Sequence, residues 1–403
     1  MSTLFSPQSP GEAVRRCRLL AGLTQQGLAR RLDRSQAWVS KVENGTVVLD
    51  RISVLNEVAA VLGVHPRDLL DADGIADLES TRAGAAARGV IEELRRYDLP
   101  VDPERVPRDV DVRLGLVHAA RDRADYFGML TALAPVLLGA RAGLHAGTST
   151  ARERAAVTYT VACKAAHTAG HAVGNRELVA LACSGAAWAA ACASPAEKAL
   201  AASLRARDMW SAAAWADATV LVDAAVLALE DDVTRAEPGA LHVAGTLHLR
   251  AAVTAARSGD LSGAVVRLDE AARIAALLGG ASKDVHSTTF CAANVAIHRL
   301  SATIEACDVG AALTLAGDAK HLAAVATAPL CRRAHHELDL TGAYLWAGHR
   351  AQALNHLEKA DRLASQLVRH HPVARAMLRR IIDAERAPAT QRLHRLATNF
   401  HII

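Results

Sequence analysis

The sequence has few aromatic residues and little of the composition that sheet-forming proteins use. Phe, Trp and Tyr together make up 3% of the 403 residues, whereas 88 residues are alanine. Strands draw on aromatic and β-branched side chains, and alanine is the strongest helix former. The composition therefore excludes an all-β protein and predicts an all-α fold. Hydrophobic residues make up 51% and charged residues 22%, which also excludes a disordered chain.

The sequence also lacks the features of secreted and membrane proteins. Its seven cysteines form no CxxC pair, and residues 1–11 are polar with two prolines rather than a basic and apolar signal. The longest uncharged stretch, residues 178–196, consists mostly of Ala, Ser, Gly and Cys, which gain little from lipid. We expect a packed helix there and a cytoplasmic protein. The formal net charge of +4 is too small by itself to identify a polyanionic partner.

Motifs of catalysis are missing as well. The chain has no HExxH metal motif, no GxxxxGK phosphate loop and no GxSxG nucleophile turn. His167 and His171 have the spacing of two metal ligands on one helix, but no glutamate lies between them, and ordinary helix positions explain both. We therefore predict that the protein is not an enzyme and holds neither a catalytic metal nor a cofactor.

Basic residues are concentrated near the N-terminus, where the chain reads as a bundle of short helices. Residues 11–41 contain seven basic and two acidic residues. Thr24 and Ser35 are in positions to cap two of the helices, and Gly22 and Gly45 are in positions to end two. An amphipathic helix over residues 51–62 and a short one after Pro66 follow. The pattern predicts a five-helix domain over residues 1–71.

Residues 23–45, LTQQGLARRLDRSQAWVSKVENG, carry the strongest motif. A helix that reads DNA presents polar side chains to the major groove while its other face packs on a supporting helix. Two helices joined by the tight Asp33-Arg34 connection satisfy both requirements. The predicted inward set is Leu28, Ala29, Leu32, Val39 and Val42, and the predicted outward set is Gln36, Ala37, Ser40 and Lys41.

This stretch resembles the helix-turn-helix of lambda repressor and Cro, the XRE family. Thr24-Gln25, Ser35 and the closing Val-Glu-Asn-Gly carry the resemblance. It implies that Gln25 holds a phosphate or reaches an edge base, that the outward set faces base edges, and that Asn44 donates to a phosphate. Ala37 departs from the commoner polar residue, which suggests contact with a thymine methyl. The candidate DNA-binding residues are Arg15, Gln25, Arg34, Ser35, Gln36, Ala37, Ser40, Lys41 and Asn44, with Arg16 and Arg18 as further candidate phosphate neighbours.

Three features of this region have a structural alternative. A short helical pair with a glycine can be mere packing, although the caps, the basic surplus and the closing Asn-Gly argue against that. Trp38 can stack on the sugar-phosphate backbone or cover the edge of the small core, and Arg15, Arg16 and Arg18 can be ordinary solvated surface residues.

The rest of the chain reads as a linker followed by helical repeats. Prolines interrupt residues 98–111, so we place a helical and proline-containing linker over residues 72–124 and an α-solenoid over residues 125–403. A glycine, two alanines and a leucine recur at equal offsets in two segments, and a third segment keeps the spacing with substitutions. The first set is Gly259, Ala264, Leu268 and Ala271; the second is Gly348, Ala353, Leu357 and Ala360; the third is Cys307, Ala312, Ala316 and Ala319.

These segments, such as AARSGDLSGAVVRLDEAARIAA, resemble degenerate tetratricopeptide repeats. Residues 289–299 and the downstream CRRAHHELDLTGAY also look like a group of actinobacterial regulators of this architecture. In the peptide-responsive regulators that share it, asparagines of the concave face hold the signal. Asn294 and His298, one turn apart among apolar neighbours, are the candidate ligand-binding residues; an inter-helix hydrogen bond is the alternative explanation.

Together these patterns predict a sequence-specific transcriptional regulator, with double-stranded DNA as its partner and no membrane. One helix-turn-helix grips little DNA, so a homodimer on an inverted repeat is expected. The solenoid would provide dimerisation and the sensing of a peptide or small molecule. The alternative is a protein-interaction scaffold that the helix-turn-helix only tethers to DNA.

Overall fold

The computed structural model describes residues 9–70, 78–146, 148–279, 284, 286–384, 391–400 and 402. Its regular secondary structure over these residues consists of α-helices and two 3₁₀ turns, without strands. The predicted all-α class is therefore confirmed, with an N-terminal helix-turn-helix domain followed by a helical repeat region.

The first five helices form a small domain, which we call the head. They are α1 (Pro10–Leu20), α2 (Gln25–Arg31), α3 (Gln36–Glu43), α4 (Ile52–Leu62) and α5 (Pro66–Leu70). The predicted inward residues Leu28, Ala29, Leu32, Val39 and Val42 are all buried in its core. Five helices lie where the sequence predicts them, because their caps and apolar spacing are local signals. The predicted domain boundary at residue 71 lies outside the described residues.

The segment that follows is more closely packed than a linker. Helix α6 (Leu78–Arg95) contacts α8 (Tyr126–Ala146) and α10 (Arg176–Ala191), and it buries Val90 and Leu94 in the core that it shares with them. The sequence pattern predicts only a short helix over residues 90–96, at the C-terminal end of α6. A non-helical connection with one 3₁₀ turn (Pro103–Arg105) then leads to α7 (Val110–Asp122).

In the part of the chain that the structure describes, six helical hairpins make up the repeat region. Each pairs one inner helix with one or two outer helices. The inner helices are α7, α9 (Ser149–Val173), α11 (Pro195–Met209), α14 (Pro238–Ser258), α16 (Ala292–Glu305) and α19 (Leu330–Trp346). The outer helices are α8, α10, α12 (Trp215–Leu227), α15 (Leu261–Leu278), α17 (Val309–Gly317) with α18 (Ala319–Ala326), and α20 (Arg350–Leu363).

The inner helices close into a ring. Each contacts the next along the chain, and the last, α19, contacts the first, α7. The side chain of Gln366 strengthens the closure, since its Oε1 accepts a hydrogen bond of 3.2 Å from the backbone N–H of Phe127 at the start of α8. The hairpins therefore enclose a common space instead of forming an open stack. We refer to α7–α20 as the ring.

The small residues of the repeat pattern explain the close packing of the hairpins. Ala264, Ala312 and Ala353 are all buried at the contact between an inner and an outer helix. The turn before each has a left-handed backbone, with φ of +89° at Gly259, +81° at Gly348 and +61° at Cys307. Only glycine adopts this conformation without strain, so Cys307 occupies a turn position at some cost. Ala319 departs from the pattern: it is exposed, because α17 ends at Gly317 and α18 begins at residue 319.

Three further helices cover one side of the ring. They are α21 (Ser365–Arg369), α22 (Pro372–Asp383) and α23 (Gln391–Asn399), and a 3₁₀ turn (Trp210–Ala212) and a short α13 (Glu230–Thr234) complete the described elements. Helix α22 contacts both α19 and α20. Leu393, Leu396 and Phe400 bury their side chains in the core that contains α6–α10 and α19–α22.

One helix of the described residues, Tyr126–His145 in α8, is long and apolar enough to cross a membrane. Half of it is buried in the protein, against α6, α7 and α9. The core helix of a globular protein has the same length and composition, so this feature is weak evidence for a membrane span.

The head is docked on the ring through two carboxylates. Asp50, just before α4, accepts hydrogen bonds from Trp346 Nε1 at 2.8 Å and Arg380 Nη1 at 2.5 Å. Glu305, at the end of α16, accepts a bond from Ser53 Oγ at 3.0 Å through its side chain, and its backbone carbonyl accepts one from Arg51 Nη2 at 3.0 Å. In addition, α4 packs on the 3₁₀ turn after α11, and α5 contacts α22.

The substitution Asp50→Asn tests this docking. The variant loses the charge that two donors share and keeps one acceptor oxygen, which we expect to cost about 1.5 to 3 kcal/mol of docking free energy. Hydrogen exchange of residues 52–62 should accelerate while the ring stays protected. Asp33→Asn, at an exposed turn position of the same head, is the matched control. Unchanged exchange in Asp50→Asn would show that the head is held by other contacts.

Candidate nucleic-acid interface

The helix pair α2–α3 is fixed by caps at both of its N-termini. Thr24 Oγ1 accepts a hydrogen bond of 2.9 Å from the backbone N–H of Gly27, and Ser35 Oγ accepts one of 3.1 Å from that of Trp38. Between the two helices Asp33 has a φ of +52°, which makes the connection short. These local interactions set where α3 begins and therefore which of its side chains face outward.

A buried ion pair joins both ends of this unit. Arg18 of α1 donates from Nε to Glu43 Oε1 at 2.5 Å and from Nη2 to Glu43 Oε2 at 3.1 Å, and its Nη1 donates to the carbonyl oxygen of Leu23 at 2.7 Å. Both side chains are buried. Gln25 of α2 adds a third bond to the same carboxylate, from Nε2 to Oε2 at 2.9 Å. Helices α1, α2 and α3 thus share one carboxylate.

The pKa of Glu43 shows that its hydrogen bonds stabilise the charged form of the carboxylate. Burial by itself raises the pKa of Glu43, but the hydrogen bonds from Arg18 and Gln25 outweigh it and leave the pKa below its usual range. The same bond raises the pKa of Arg18. Gly11 allows the close contact, because a Cβ at that position would lie 2.5 Å from the carbonyl oxygen of Glu43.

The opposite face of α3 is open to solvent. Gln36, Ala37 and Lys41 are exposed and Ser40 is half-buried, so the predicted outward set forms one continuous face. At its C-terminal end, Asn44 Nδ2 lies 3.4 Å from Ser40 Oγ. The exposed face is polar and carries one cation, Lys41, and an α-helix fits into a DNA major groove.

Basic side chains lie near both ends of α3. Arg15 of α1 is exposed and close enough to Glu43 to lower its pKa. Arg34 is exposed at the start of α3, 3.9 Å from Glu57 and with its guanidinium 6.0 Å from the centre of the Trp38 ring. Trp38 is partly buried against the core of the head, as the structural alternative for this residue proposed.

Two of the side chains predicted to contact phosphates are hydrogen-bonded to Glu43. The prediction that Arg18 lies next to a DNA phosphate is wrong, because its guanidinium is buried and bound to Glu43. Its position four residues after the buried Val14 places it on the inward face of α1, which is the signal that could have identified it. The amide of Gln25 is also bound to Glu43, and its predicted contact with DNA stays a prediction.

The candidate ligand residues lie in the ring, on α16. Asn294 is buried, and its Oδ1 accepts a hydrogen bond of 2.8 Å from Arg332 Nε of α19. His298 Nδ1 lies 2.8 Å from the carbonyl oxygen of Asn294. Asn294 therefore binds Arg332, and His298 lies beside it. The sequence does not single out Arg332, because it is one of several charged residues on α19 and no signal distinguishes it. The predicted ligand role of Asn294 and His298 stays a prediction.

Comparison with known proteins identifies the head. Residues 11–72 match the model of a family described as a helix-turn-helix domain. Two solved structures resemble the chain more distantly. Bacillus thuringiensis PlcR in complex with the peptide PapR7 and DNA has 12% sequence identity and a TM-score of 0.30, and the match covers 92% of this chain and 98% of that one. The apo form of the competence regulator ComR from Streptococcus vestibularis has 13% identity and a TM-score of 0.23, with 73% and 97% covered. No curated protein matches the chain.

The variant Glu43→Gln tests the ion pair. It leaves a buried guanidinium without its counter-charge, which we expect to destabilise the head by about 3 to 5 kcal/mol. Because the pKa of Glu43 is lowered in the folded protein, its contribution is complete at neutral pH and is lost as the pH falls below about 4. Urea unfolding at pH 7 and at acidic pH should show a difference between wild type and variant that shrinks on acidification.

Glu57→Gln is the control for that measurement. Glu57 pairs with Arg34 at 3.9 Å on the surface, where an ion pair contributes about 0 to 1 kcal/mol. Equal destabilisation by the two substitutions would contradict a special role for the buried pair.

Proposed function

We propose that the protein is a sequence-specific DNA-binding regulator of transcription that acts in the cytoplasm. The observation that carries the proposal is the exposed polar face of α3, held on a helix-turn-helix domain by the buried Arg18–Glu43 pair. The docking contacts of the head come from α4, α5 and residues 50–53, on other elements than α3. The recognition face therefore stays available to DNA while the head is bound to the ring.

The residues divide into two groups by the contacts that we assign to them. Gln36, Ala37, Ser40 and Lys41 would face base edges and choose the sequence. Ser35, Asn44, Arg15 and Arg34 would hold phosphates and give affinity without sequence information. Gln25 contributes its remaining carbonyl oxygen at the edge of the site and otherwise orients Glu43.

We further propose that two copies bind one inverted repeat, since a single recognition helix covers only a few base pairs. Half-sites would then lie about 34 Å apart along the duplex, one helical turn. The ring supplies the body for dimerisation and for sensing a small signal. Sedimentation with and without operator DNA measures this directly, and monomers alone in both conditions would contradict it.

Sequencing of the DNA fragments that the purified protein captures tests the function as a whole. We expect one enriched motif with two-fold symmetry. Captured DNA without a shared motif would contradict sequence-specific regulation and favour a non-specific tether.

Two substitutions separate sequence reading from phosphate binding. Gln36→Ala should cost about 1 to 3 kcal/mol at the enriched motif and relax the preference at one base pair. Arg15→Gln should weaken binding to all sequences alike and lower the salt dependence by about one phosphate contact. Both effects are measured by fluorescence anisotropy over a salt series on operator and scrambled DNA.

Gln352→Ala, an exposed glutamine on α20 in the ring, is the control. Equal losses on operator and scrambled DNA for Gln36→Ala would contradict the assignment of α3 as the reading helix.

A further inference from the structure

The inner helices of the ring carry a group of cations that the proposed DNA contacts do not use. Lys164 projects from α9, Arg207 from α11, Arg250 from α14 and Arg332 from α19, and all four side chains are half-buried. We call these four residues the ring cations. Helices from around the whole ring contribute to the group, so the side chains point into the space that the ring encloses.

The ring cations are close enough to affect one another. Burial lowers the pKa of Arg250 to about 9, with the neighbouring charges of Arg207 and Arg332 contributing to that shift in the same direction. Burial also lowers the pKa of Lys164 to about 7, with Arg121 and Arg250 as like-charged neighbours. Like charges that share a partly desolvated space destabilise each other's charged form.

None of the ring cations is paired with a carboxylate among the described residues. Lys164 donates to the carbonyl oxygen of Ser287. Arg332 is bound to Asn294 and approaches His298. Arg250 lies with its guanidinium 5.0 Å from the centre of the Trp210 ring, and its buried Nε has no hydrogen-bond partner.

Two carboxyl groups act on the ring cations electrostatically without forming an ion-pair contact, Asp284 on Lys164 and Asp339 on Arg332. Asp339 of α19 is hydrogen-bonded to Ser301, and burial raises its pKa to about 6. Asp284 accepts bonds from Thr288 Oγ1 at 3.0 Å and from the backbone N–H of Thr289 at 2.7 Å. Arginines at the edge of the enclosed space do have carboxylates, for example Arg257 with Glu305 at 3.1 Å. The ring cations thus differ from Arg257 in lacking a carboxylate at ion-pair distance among the described residues.

We propose that the ring interior is a binding site for a small multivalent anion, a molecule with phosphate or carboxylate groups, that supplies the missing counter-charge. Arg207 and Arg250 are its principal ligands because their guanidinium groups have no hydrogen-bond acceptor among the residues that the structure describes. Arg332 is held in place by its hydrogen bond to Asn294. The site gives the chemical class of the signal in the sensing role proposed above. Binding of the anion does not depend on that role; only the effect of the anion on DNA binding does.

The contacts around the site lead directly to the head. The Trp210 ring lies between Arg250, at 5.0 Å, and Arg257, at 4.6 Å. Arg257 is bound to Glu305, and Glu305 accepts the hydrogen bond from Ser53 of α4. An anion that draws Arg250 away from Trp210 therefore acts on the carboxylate that docks the head.

Thermal unfolding of the full chain with and without pyrophosphate or citrate tests the site. Each anion is added at about 10 mM, and sodium chloride at the same ionic strength is the reference. We expect at least one of the two anions to raise the melting midpoint of the wild type by about 2 °C or more. The two probes distinguish phosphate from carboxylate as the preferred group. Calorimetric titration then gives the affinity.

The variants Arg207→Gln and Arg250→Gln should each lower that affinity by about tenfold or more, since a charged hydrogen bond is lost. Without anion they should melt no lower than the wild type, because each removes an unneutralised charge. Arg205→Gln, an exposed arginine on the same helix α11, should bind the anion as the wild type does. A wild type that no anion stabilises, or equal stabilisation of Arg250→Gln, overturns the site.

Operator binding gives an independent readout. Pyrophosphate or citrate, whichever stabilises the protein, should change operator affinity by about threefold or more in the wild type and leave Arg250→Gln unaffected, within the usual size of allosteric coupling. Anion binding by a protein that captures no specific DNA would leave the site standing and overturn the proposed function. Specific DNA binding by a protein that no anion stabilises would overturn the anion site and leave the proposed function standing.

Discussion

Two carboxylates, Asp50 and Glu305, determine how the DNA-reading head is placed on the ring. Each is shared by more than one donor: Asp50 joins Trp346 and Arg380, and Glu305 joins Ser53 and Arg257. A shared acceptor links the positions of its donors, because none can move without weakening another bond. The angle of the recognition helix to the ring is therefore a property of side chains from α4, α14, α16, α19 and α22 together.

The ring itself depends on alanine. Of the 88 alanines, 68 lie in the 253 residues after position 150, where inner and outer helices pack against each other. Small side chains bring the helices close together, so little apolar surface is left over to line the interior. Long charged side chains occupy the enclosed space instead. The composition that first indicates helix thus also explains why the interior of the ring is polar.

The sequence predicts the head almost completely and the ring only in part. Caps such as Thr24 and Ser35 act within three residues, so their effect is visible without a structure. The hairpin turns at Gly259 and Gly348 are equally local. Ring closure is different, since it brings α7 against α19 from about 200 residues away, and no periodicity specifies which distant helices meet. The partners of Arg18 and Arg332, and the grouping of the ring cations, follow from such long-range contacts and could not be predicted.

Docking by Trp346 and Arg380 has a consequence for the order of synthesis. The five helices of the head are complete at Leu70, and N-terminal domains generally fold as the chain emerges. The partners of Asp50, Trp346 and Arg380, are synthesised about 300 residues later. A nascent or truncated chain therefore carries a folded head that lacks the contacts with α19 and α22, and only the finished chain places its recognition helix at a fixed angle.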